Sequence, residues 1–146
     1  MSTIKLGKGA YVTVLVRAEQ TGGQCSAVIG GADPGFAGPP PHRHPDFTEM
    51  YVLLAGRLEL RRGDELIELA PEDVAVVPAG VVHSFRVSSD EPARWVNVWA
   101  PGGFEAYFEE AAAALPADAA PDPAVLASIA ARHGLELVQG DAHRRE

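Results

Sequence analysis

The chain has 146 residues, of which 47% are hydrophobic and 22% are charged, a size and composition typical of one globular domain. Its formal net charge of −8 leaves no basic surface of the kind that nucleic-acid-binding proteins need, so we expect no nucleic-acid partner. The first ten residues contain no long apolar segment, which predicts neither a signal peptide nor a membrane anchor. Cys25 is the single cysteine and can form no internal disulfide, which favours the cytoplasm.

Two β-branched runs open the chain. Residues 11–17 and 24–29 predict strands joined by a hairpin at residues 21–23, and the Gly- and Pro-rich residues 30–41 predict a loop. The first run has no proline or internal charge to protect an exposed sheet edge. We therefore predict a homodimer in which a second copy covers this edge. The alternative is that the C-terminal helices cover it within one chain.

The middle of the chain continues the β pattern. Apolar runs separated by turn residues predict six more strands, at residues 49–55, 57–62, 65–70, 74–77, 81–87 and 94–99. The pair Gly63-Asp64 favours a tight hairpin between the second and third of these. Many short antiparallel strands at this spacing predict an all-β fold of the barrel or jelly-roll type.

The C-terminal third has a helical pattern instead. Apolar residues recur at intervals of three and four and predict a helix that packs on the barrel: Phe104, Tyr107, Phe108, Ala111 and Leu115. Residues 115–121 predict a linker. Asp122 as an N-cap, Pro123 in the first turn and Gly134 beyond the last turn predict a second helix. Its expected buried side consists of Val125, Leu126, Ile129 and Ala130.

Three histidines and one glutamate form a candidate metal site. His42 and His44 are two residues apart, so on a strand they point to the same side and can bind one ion. The chain is expected to kink after them, so that Glu49 arrives from the next strand, and His83 follows the turn at residues 78–80. These groups are costly to bury alone, and mixed nitrogen and oxygen donors are typical of first-row transition metals. We predict one divalent ion, Fe, Mn, Ni, Cu or Zn.

The same residues resemble the two sequence motifs of the cupin superfamily. The first motif contains a His-x-His pair, a glutamate and a later glycine, and the second reads Pro-x-Gly-x-x-His. The matching residues are His42, His44, Glu49 and Gly56 in the first motif and Pro78, Gly80 and His83 in the second. The resemblance implies that the family's four metal ligands are all present here.

Three family positions differ. Phe36 and Glu72 stand where the two motifs begin with glycine, and Val87 stands where the second motif ends with asparagine. These positions belong to turns and the framework, so the departures leave the metal site intact. The resemblance covers about residues 11–114. The segment 100–109 is similar to the closing segment of small single-domain cupins of the quercetin dioxygenase-like type.

This resemblance implies a cupin-type antiparallel β-barrel with C-terminal helices. We assign residues 1–115 to the barrel with its closing helix, and residues 116–146 to a linker and a helix packed on the same domain. The implied function is a metal-dependent oxygenase acting on a small enol-like or phenolic molecule, with Glu49 as catalytic base. Two alternatives stay open: a non-redox metal-dependent enzyme, such as an isomerase, decarboxylase or cyclase, and a small-ligand-binding protein without catalysis.

Aromatic residues near the predicted ligands are candidates for substrate binding. Tyr51 and Phe85 share the phase of the ligands and are expected to face the interior, where they either line a pocket or fill the core. Trp95, Asn97 and Trp99 share one face of the last strand, and the sequence leaves open whether that face is the inner one. If it is, Asn97 is a polar group that can orient substrate. The candidate substrate-binding residues are Phe47, Tyr51, Phe85, Trp95, Asn97 and Trp99.

Overall fold

The computed structural model describes residues 3–7, 9–114 and 122–138. Within these ranges the chain forms eleven strands: β1 Thr3–Gly7, β2 Ala10–Val16, β3 Ser26–Ala32, β4 His42–Arg43, β5 Thr48–Ala55, β6 Leu58–Arg62, β7 Glu65–Leu69, β8 Val74–Val77, β9 His83–Val87, β10 Ala93–Ala100 and β11 Glu136–Leu137. The helices are a 3-10 helix at Ala18–Thr21, α1 at Glu105–Ala114 and α2 at Pro123–Arg132.

The strands form two antiparallel sheets. The larger has six strands in the order β1-β2-β3-β10-β5-β8, and the smaller has five in the order β11-β4-β9-β6-β7. Residues that point between the sheets make up the main core, including Leu53 on β5, Leu58 and Leu60 on β6, and Trp95 on β10. Each fully buried leucine contributes about 1.5 to 3 kcal/mol to the free energy of unfolding. The predicted all-β barrel with C-terminal helices is confirmed.

The first strand is one that the sequence analysis did not predict. Strand β1 pairs along the edge of β2, with Thr3 opposite Thr13 and Ile4 opposite Val12. The expectation that residues 11–17 form an exposed edge, covered by a second copy or by the C-terminal helices, is therefore wrong. Strand β1 was missed because it has only five residues, contains only two apolar side chains, Ile4 and Leu6, and ends at a glycine.

Two further boundaries differ from the prediction. Strand β3 runs through Gly30 and Gly31 to Ala32, where a loop was expected. The reason is packing, because a Cβ atom on Gly30 would lie 2.7 Å from Cε2 of Trp95, so the glycine makes room for the indole. Strands β2 and β3 pair as predicted, but a 3-10 helix joins them in place of a tight hairpin.

Helix α2 begins as its sequence predicts. The side chain of Asp122 accepts a hydrogen bond from the Ala124 amide at 2.9 Å, and Gly134 follows the helix with a φ of 76°. Ile129 is buried, but Val125 is 42% exposed, so its predicted burial is wrong. Neither α1 nor α2 is long enough to cross a bilayer, and they are the α-helices within the described ranges.

The C-terminal segment also returns to the smaller sheet. Strand β11 pairs with β4, and the Val138 amide donates to the carbonyl of Pro41 at 3.0 Å. The predicted linker at residues 115–121, the last position of the aromatic stripe and the tail from residue 139 lie outside the described residues. The proposed division of the chain at residue 115 stays a prediction.

Candidate metal centre

The four predicted ligands converge inside the barrel. His42 lies on β4 opposite His83, the first residue of β9, and His44 follows β4 directly. Glu49 projects inward from β5 of the other sheet. One ligand atom from each of the four residues lies within 4.8 Å of the others, and all four side chains are buried. Pairing between distant strands thus brings together groups that the sequence spaces 41 positions apart, from His42 to His83.

Backbone carbonyls fix the tautomer of each histidine. A carbonyl oxygen can only accept a hydrogen bond, so the ring nitrogen facing it carries the proton. Each Nδ1 atom donates in this way, at 3.0 Å from His42 to Pro40, at 3.1 Å from His44 to Gly134 and at 3.0 Å from His83 to Val81. The opposite nitrogen, Nε2, is then left with a lone pair in every neutral ring. Nitrogen donors in this state are what a transition metal requires.

Both oxygens of Glu49 have defined neighbours. Its Oε1 atom lies 3.0 Å from Nε2 of His83 and 3.3 Å from Nε2 of His44. Its Oε2 atom accepts a hydrogen bond from Nδ2 of Asn97 at 2.9 Å. Oδ1 of Asn97 accepts in turn from the indole N–H of Trp95, also at 2.9 Å. We call this series the Trp95–Asn97 relay. It holds the carboxylate with one oxygen directed at the imidazoles.

Burial and the short distances between these side chains shift their pKa values. Burial, together with the neighbouring His83, lowers the pKa of His42 to about 4. Burial alone would raise the pKa of Glu49, but the neighbouring imidazoles of His44 and His83 outweigh it and lower that pKa. Burial likewise opposes the charge on His83, but its hydrogen bond with Glu49 raises its pKa. Without a metal ion, a proton on His83 offsets the negative charge of Glu49.

The donor set fits a divalent transition metal. Three imidazoles and one carboxylate face each other at short range in a buried site, an arrangement that a bound cation would stabilise. Nitrogen and oxygen donors in this ratio suit first-row metals such as iron, manganese, nickel, copper or zinc. The residues do not distinguish among these ions, because geometry and metal supply decide occupancy.

A cavity of about 300 Å³ adjoins the four-residue cluster. His42, His44 and Glu49 form part of its wall. The wall also includes five of the six predicted substrate residues: Tyr51, Phe85, Trp95, Asn97 and Trp99. The open question about β10 is thereby answered, because Trp95, Asn97 and Trp99 face the interior. Their role in substrate binding stays a prediction.

Two of those residues have contacts that the sequence did not indicate. Phe47 is not part of the described cavity wall, and its ring stacks on His44 with the ring centroids 4.5 Å apart. The amide of Asn97 holds Glu49, where a contact with substrate was expected.

Burial, followed by the nearby charge of Glu49, raises the pKa of Tyr51, so this phenol stays protonated at neutral pH.

The sequence analysis missed several residues of the site. Leu6, Ala10 and Val12 from the N-terminal strands line the cavity, as do side chains of the C-terminal segment. The latter are Phe104, Tyr107, Phe108, Ala111, Leu126 and Leu135. The amphipathic spacing of this segment predicted packing on the barrel, but nothing in the spacing indicated that the packing surrounds a cavity. Gly134, whose carbonyl orients His44, had been interpreted only as a helix terminator.

The described part of the cavity wall carries few charged side chains. Among the described residues that line it there is no Lys or Arg, and Glu49 is the sole carboxylate. Arg43, which lies between two ligands in the sequence, is exposed and pairs with Glu136 at 2.7 Å. The space beside the cluster is therefore bounded by aromatic and aliphatic surface.

A family model described as a cupin domain matches residues 31–99, which include all four residues of the cluster. The chain therefore contains a cupin domain. The predicted cupin-type jelly roll is thus confirmed. In three dimensions this cupin is similar to the structure of KdgF from Halomonas sp., with a TM-score of 0.64 and 18% identity over 73% of this chain and 91% of that one. At that identity the likeness concerns the fold alone.

Two curated proteins are similar over part of the cupin domain. The chain is 39% identical over 56 residues to the oxidoreductase OpS7 of Beauveria bassiana, which is 38% of this chain and 18% of that protein. It is 37% identical over 67 residues to quercetin 2,3-dioxygenase of Bacillus subtilis, which is 46% of this chain and 20% of that protein. The matched segments therefore span about a fifth of each relative's length.

Proposed function

We propose that this cupin is a metal-dependent oxygenase that acts on a small phenolic or enol-like molecule. The observation that carries the proposal is the position of the His42, His44, Glu49 and His83 cluster in the wall of an aromatic cavity. The partial likeness to an oxidoreductase and to a quercetin dioxygenase supports it. The substrate is a small molecule, since the cavity measures about 300 Å³.

When bound, a first-row ion supplies Lewis acidity and, for redox-active metals, electron transfer, with one or two coordination positions left open. The protein contributes orientation and a water-poor environment. Carbonyls of the backbone hold the imidazole rings, and the Trp95–Asn97 relay holds the carboxylate. The aromatic wall excludes water from the space in which the substrate lies, which strengthens electrostatic interactions there.

Glu49 is the proposed catalytic base. The hydroxyl of a phenol or enol must lose its proton before the oxygen can act as an anion, and Glu49 is the sole carboxylate among the described cavity residues. Its lowered pKa keeps it ionised at neutral pH. The proton moves from the substrate oxygen to Oε1, while Oε2 stays hydrogen-bonded to Asn97.

The absence of cations from the described cavity wall favours a phenol or enol over a dicarboxylate or sugar acid. A second anionic group on the substrate would be buried with no Lys or Arg beside it. Leaving such a charge unpaired costs several kcal/mol. A phenol or enol without other acidic groups binds as a monoanion, and the metal site would neutralise that single charge. Their flat rings also match a wall that contains Tyr51, Phe85 and Trp95.

The test is an oxygen-electrode assay of protein loaded separately with iron, manganese, nickel, copper or zinc. The substrates are quercetin, 3-hydroxyflavone and catechol, each compared with a carboxylated analogue. We expect dioxygen consumption with at least one redox-active metal, none with zinc, and lower rates for the carboxylated compounds. Conversion of the compounds without dioxygen would favour the non-redox enzyme. Saturable binding without turnover under any metal would favour the ligand-binding protein.

A further inference from the structure

The last strand of the smaller sheet lies beside a strand of the candidate metal centre. We call residues 134–138, which follow α2 and contain β11, the C-terminal strap. Strand β4 lies between the strap and β9. It pairs with β9 at a single position, where His42 lies opposite His83, but it pairs with the strap along both of its residues. Without the strap, β4 would be a short edge strand that is paired at one position.

The strap also supplies the hydrogen-bond partner of one candidate ligand. The Nδ1 atoms of His42 and His83 each donate to a carbonyl two positions earlier in the chain, so their partners belong to the same local segment. The Nδ1 atom of His44 donates instead to the carbonyl of Gly134, which lies 90 positions away in the strap, at 3.1 Å. The orientation of His44 therefore depends on where the strap lies, whereas the other two rings are oriented locally.

Glycine suits position 134 for two reasons. Its φ is 76°, in the left-handed region that β-branched residues rarely adopt. A Cβ atom on Gly134 would also lie 3.3 Å from Cε1 of Phe47, whose ring stacks on His44. The next residue, Leu135, lines the cavity. The strap thus approaches both the candidate ligand and the space beside it.

Few interactions hold the strap on the barrel. Besides the short pairing with β4, the Val138 amide donates to the carbonyl of Pro41 at 3.0 Å. The ion pair between Arg43 and Glu136 is about half exposed on both sides, at 49% and 51%, and exposed pairs contribute little. The side chain of Leu137 is 53% exposed. Segments with few buried contacts open locally while the rest of the domain stays folded. The strap can therefore detach from an intact barrel.

We propose that the C-terminal strap is a positioning element of the metal site: when docked it orients His44, and a bound ion in turn holds the strap on the barrel. This rests on the proposed function only in requiring an ion at the four-residue cluster. The ion favours the docked strap, because there the hydrogen bond to Gly134 keeps the proton on Nδ1 of His44 and leaves Nε2 free to bind. Two sites coupled in this way strengthen each other by the same factor.

The first test is hydrogen exchange in the full chain, followed by NMR with and without zinc. Loss of a ligand's hydrogen-bond partner lowers metal affinity about 10- to 100-fold, so zinc should slow exchange of the Val138 amide by a similar factor. The internal control is the Gly23 amide, which donates to the carbonyl of Ala18 at 2.8 Å in the connection between β2 and β3. Its exchange should change much less. Equal slowing of both amides, or no slowing at Val138 in the zinc-bound protein, would overturn the proposal.

The second test displaces the strap by one substitution. Any residue at position 134 has a carbonyl, but the side chain in Gly134→Val is strained at this φ and meets Phe47. The carbonyl should shift away from His44, and zinc affinity should fall about 10- to 100-fold. The matched control is Gly22→Val, because Gly22 follows the 3-10 helix with a φ of 64° and has open space where a side chain would lie. This control should bind zinc as the wild type does.

The outcomes separate the strap from the metal centre. If the strap is merely structural, Gly134→Val lowers the melting temperature without changing zinc affinity, and the proposal is wrong. An equal loss of zinc affinity in the two glycine variants would also reject it. The exchange measurement requires no variant, so it decides even where Gly134→Val does not fold. A wild type that binds no zinc would reject the metal centre itself and the strap's role with it.

Discussion

The two sheets hold their parts of the candidate metal centre by different means. On the side of the smaller sheet, backbone carbonyls orient His42, His44 and His83. On the larger sheet, side chains orient Glu49, through the Trp95–Asn97 relay. Carbonyls are supplied by the fold whatever the sequence at those positions, whereas each member of the relay can be removed by one substitution. The imidazole geometry should therefore be robust, and the carboxylate geometry adjustable.

The largest expected effect is the loss of an imidazole itself. His83→Ala removes one of four donors, so zinc affinity should fall by more than the roughly 100-fold that loss of a ligand's hydrogen-bond partner can cost. His133→Ala is the matched control, because His133 contacts Glu110 at the end of α2 and lies outside the cluster. Competition with a fluorescent chelator measures both. Undiminished zinc binding by His83→Ala would remove it from the site.

Replacing Glu49, the candidate metal ligand on the larger sheet, should reduce turnover more than it reduces metal affinity. In Glu49→Gln an amide oxygen can still coordinate weakly but cannot accept a proton, so metal affinity should fall less than in His83→Ala. Turnover should fall by about 10²- to 10⁴-fold, the usual contribution of a general base. Steady-state rates are compared at full metal occupancy, which is verified by elemental analysis. Rates equal to those of the wild type would mean that Glu49 is not the base.

The relay provides the most direct test of the comparison between the sheets. Asn97→Leu removes the donor to Oε2 of Glu49, and we expect metal affinity to fall about 10- to 100-fold. Trp95→Phe keeps an aromatic ring above Gly30 but removes the indole N–H, so its effect should be smaller. The visible spectrum of the cobalt form reports how the carboxylate binds and should change in Asn97→Leu. Unchanged spectra and affinities would show that the relay does not orient Glu49.

The smallest expected effect is the release of protons when zinc binds. His42 is neutral at pH 7 because its pKa is about 4, whereas the raised pKa of His83 leaves part of its population protonated. Zinc binding at pH 7 should therefore release up to about one proton, mainly from His83. Calorimetry in buffers of different ionisation enthalpy measures this number. An enthalpy independent of the buffer would contradict the prediction.

The raised pKa of His83 also determines the sign of its contribution to how stability depends on pH. In the metal-free protein, the raised pKa of His83 stabilises the fold below about pH 6.5, and this stabilisation is lost as the pH rises through the raised value. Bound metal has the opposite dependence, because the proton competes with it. The increase in melting temperature on adding zinc should thus grow from pH 6 to pH 8.

The sequence by itself determined which four residues form the buried cluster and where most of the strands lie. His42 and His44 share a strand phase, Gly63-Asp64 marks a hairpin, and Asp122 caps a helix, and all of these depend on neighbours within a few residues. Such local signals survive folding because the geometry of a strand, turn or helix end is the same in any protein.

Only the tertiary structure decided how the site is completed. Asn97 reaches Glu49 across 48 positions, the carbonyl of Gly134 reaches His44 across 90, and β1 covers the edge that the sequence left exposed. The inward direction of Asn97 was undetermined because its strand carries mostly apolar residues on both sides. The alternation of side chains therefore did not distinguish the inner face of the strand from the outer face. Contacts between segments so distant depend on strand order and register, which local propensity does not encode.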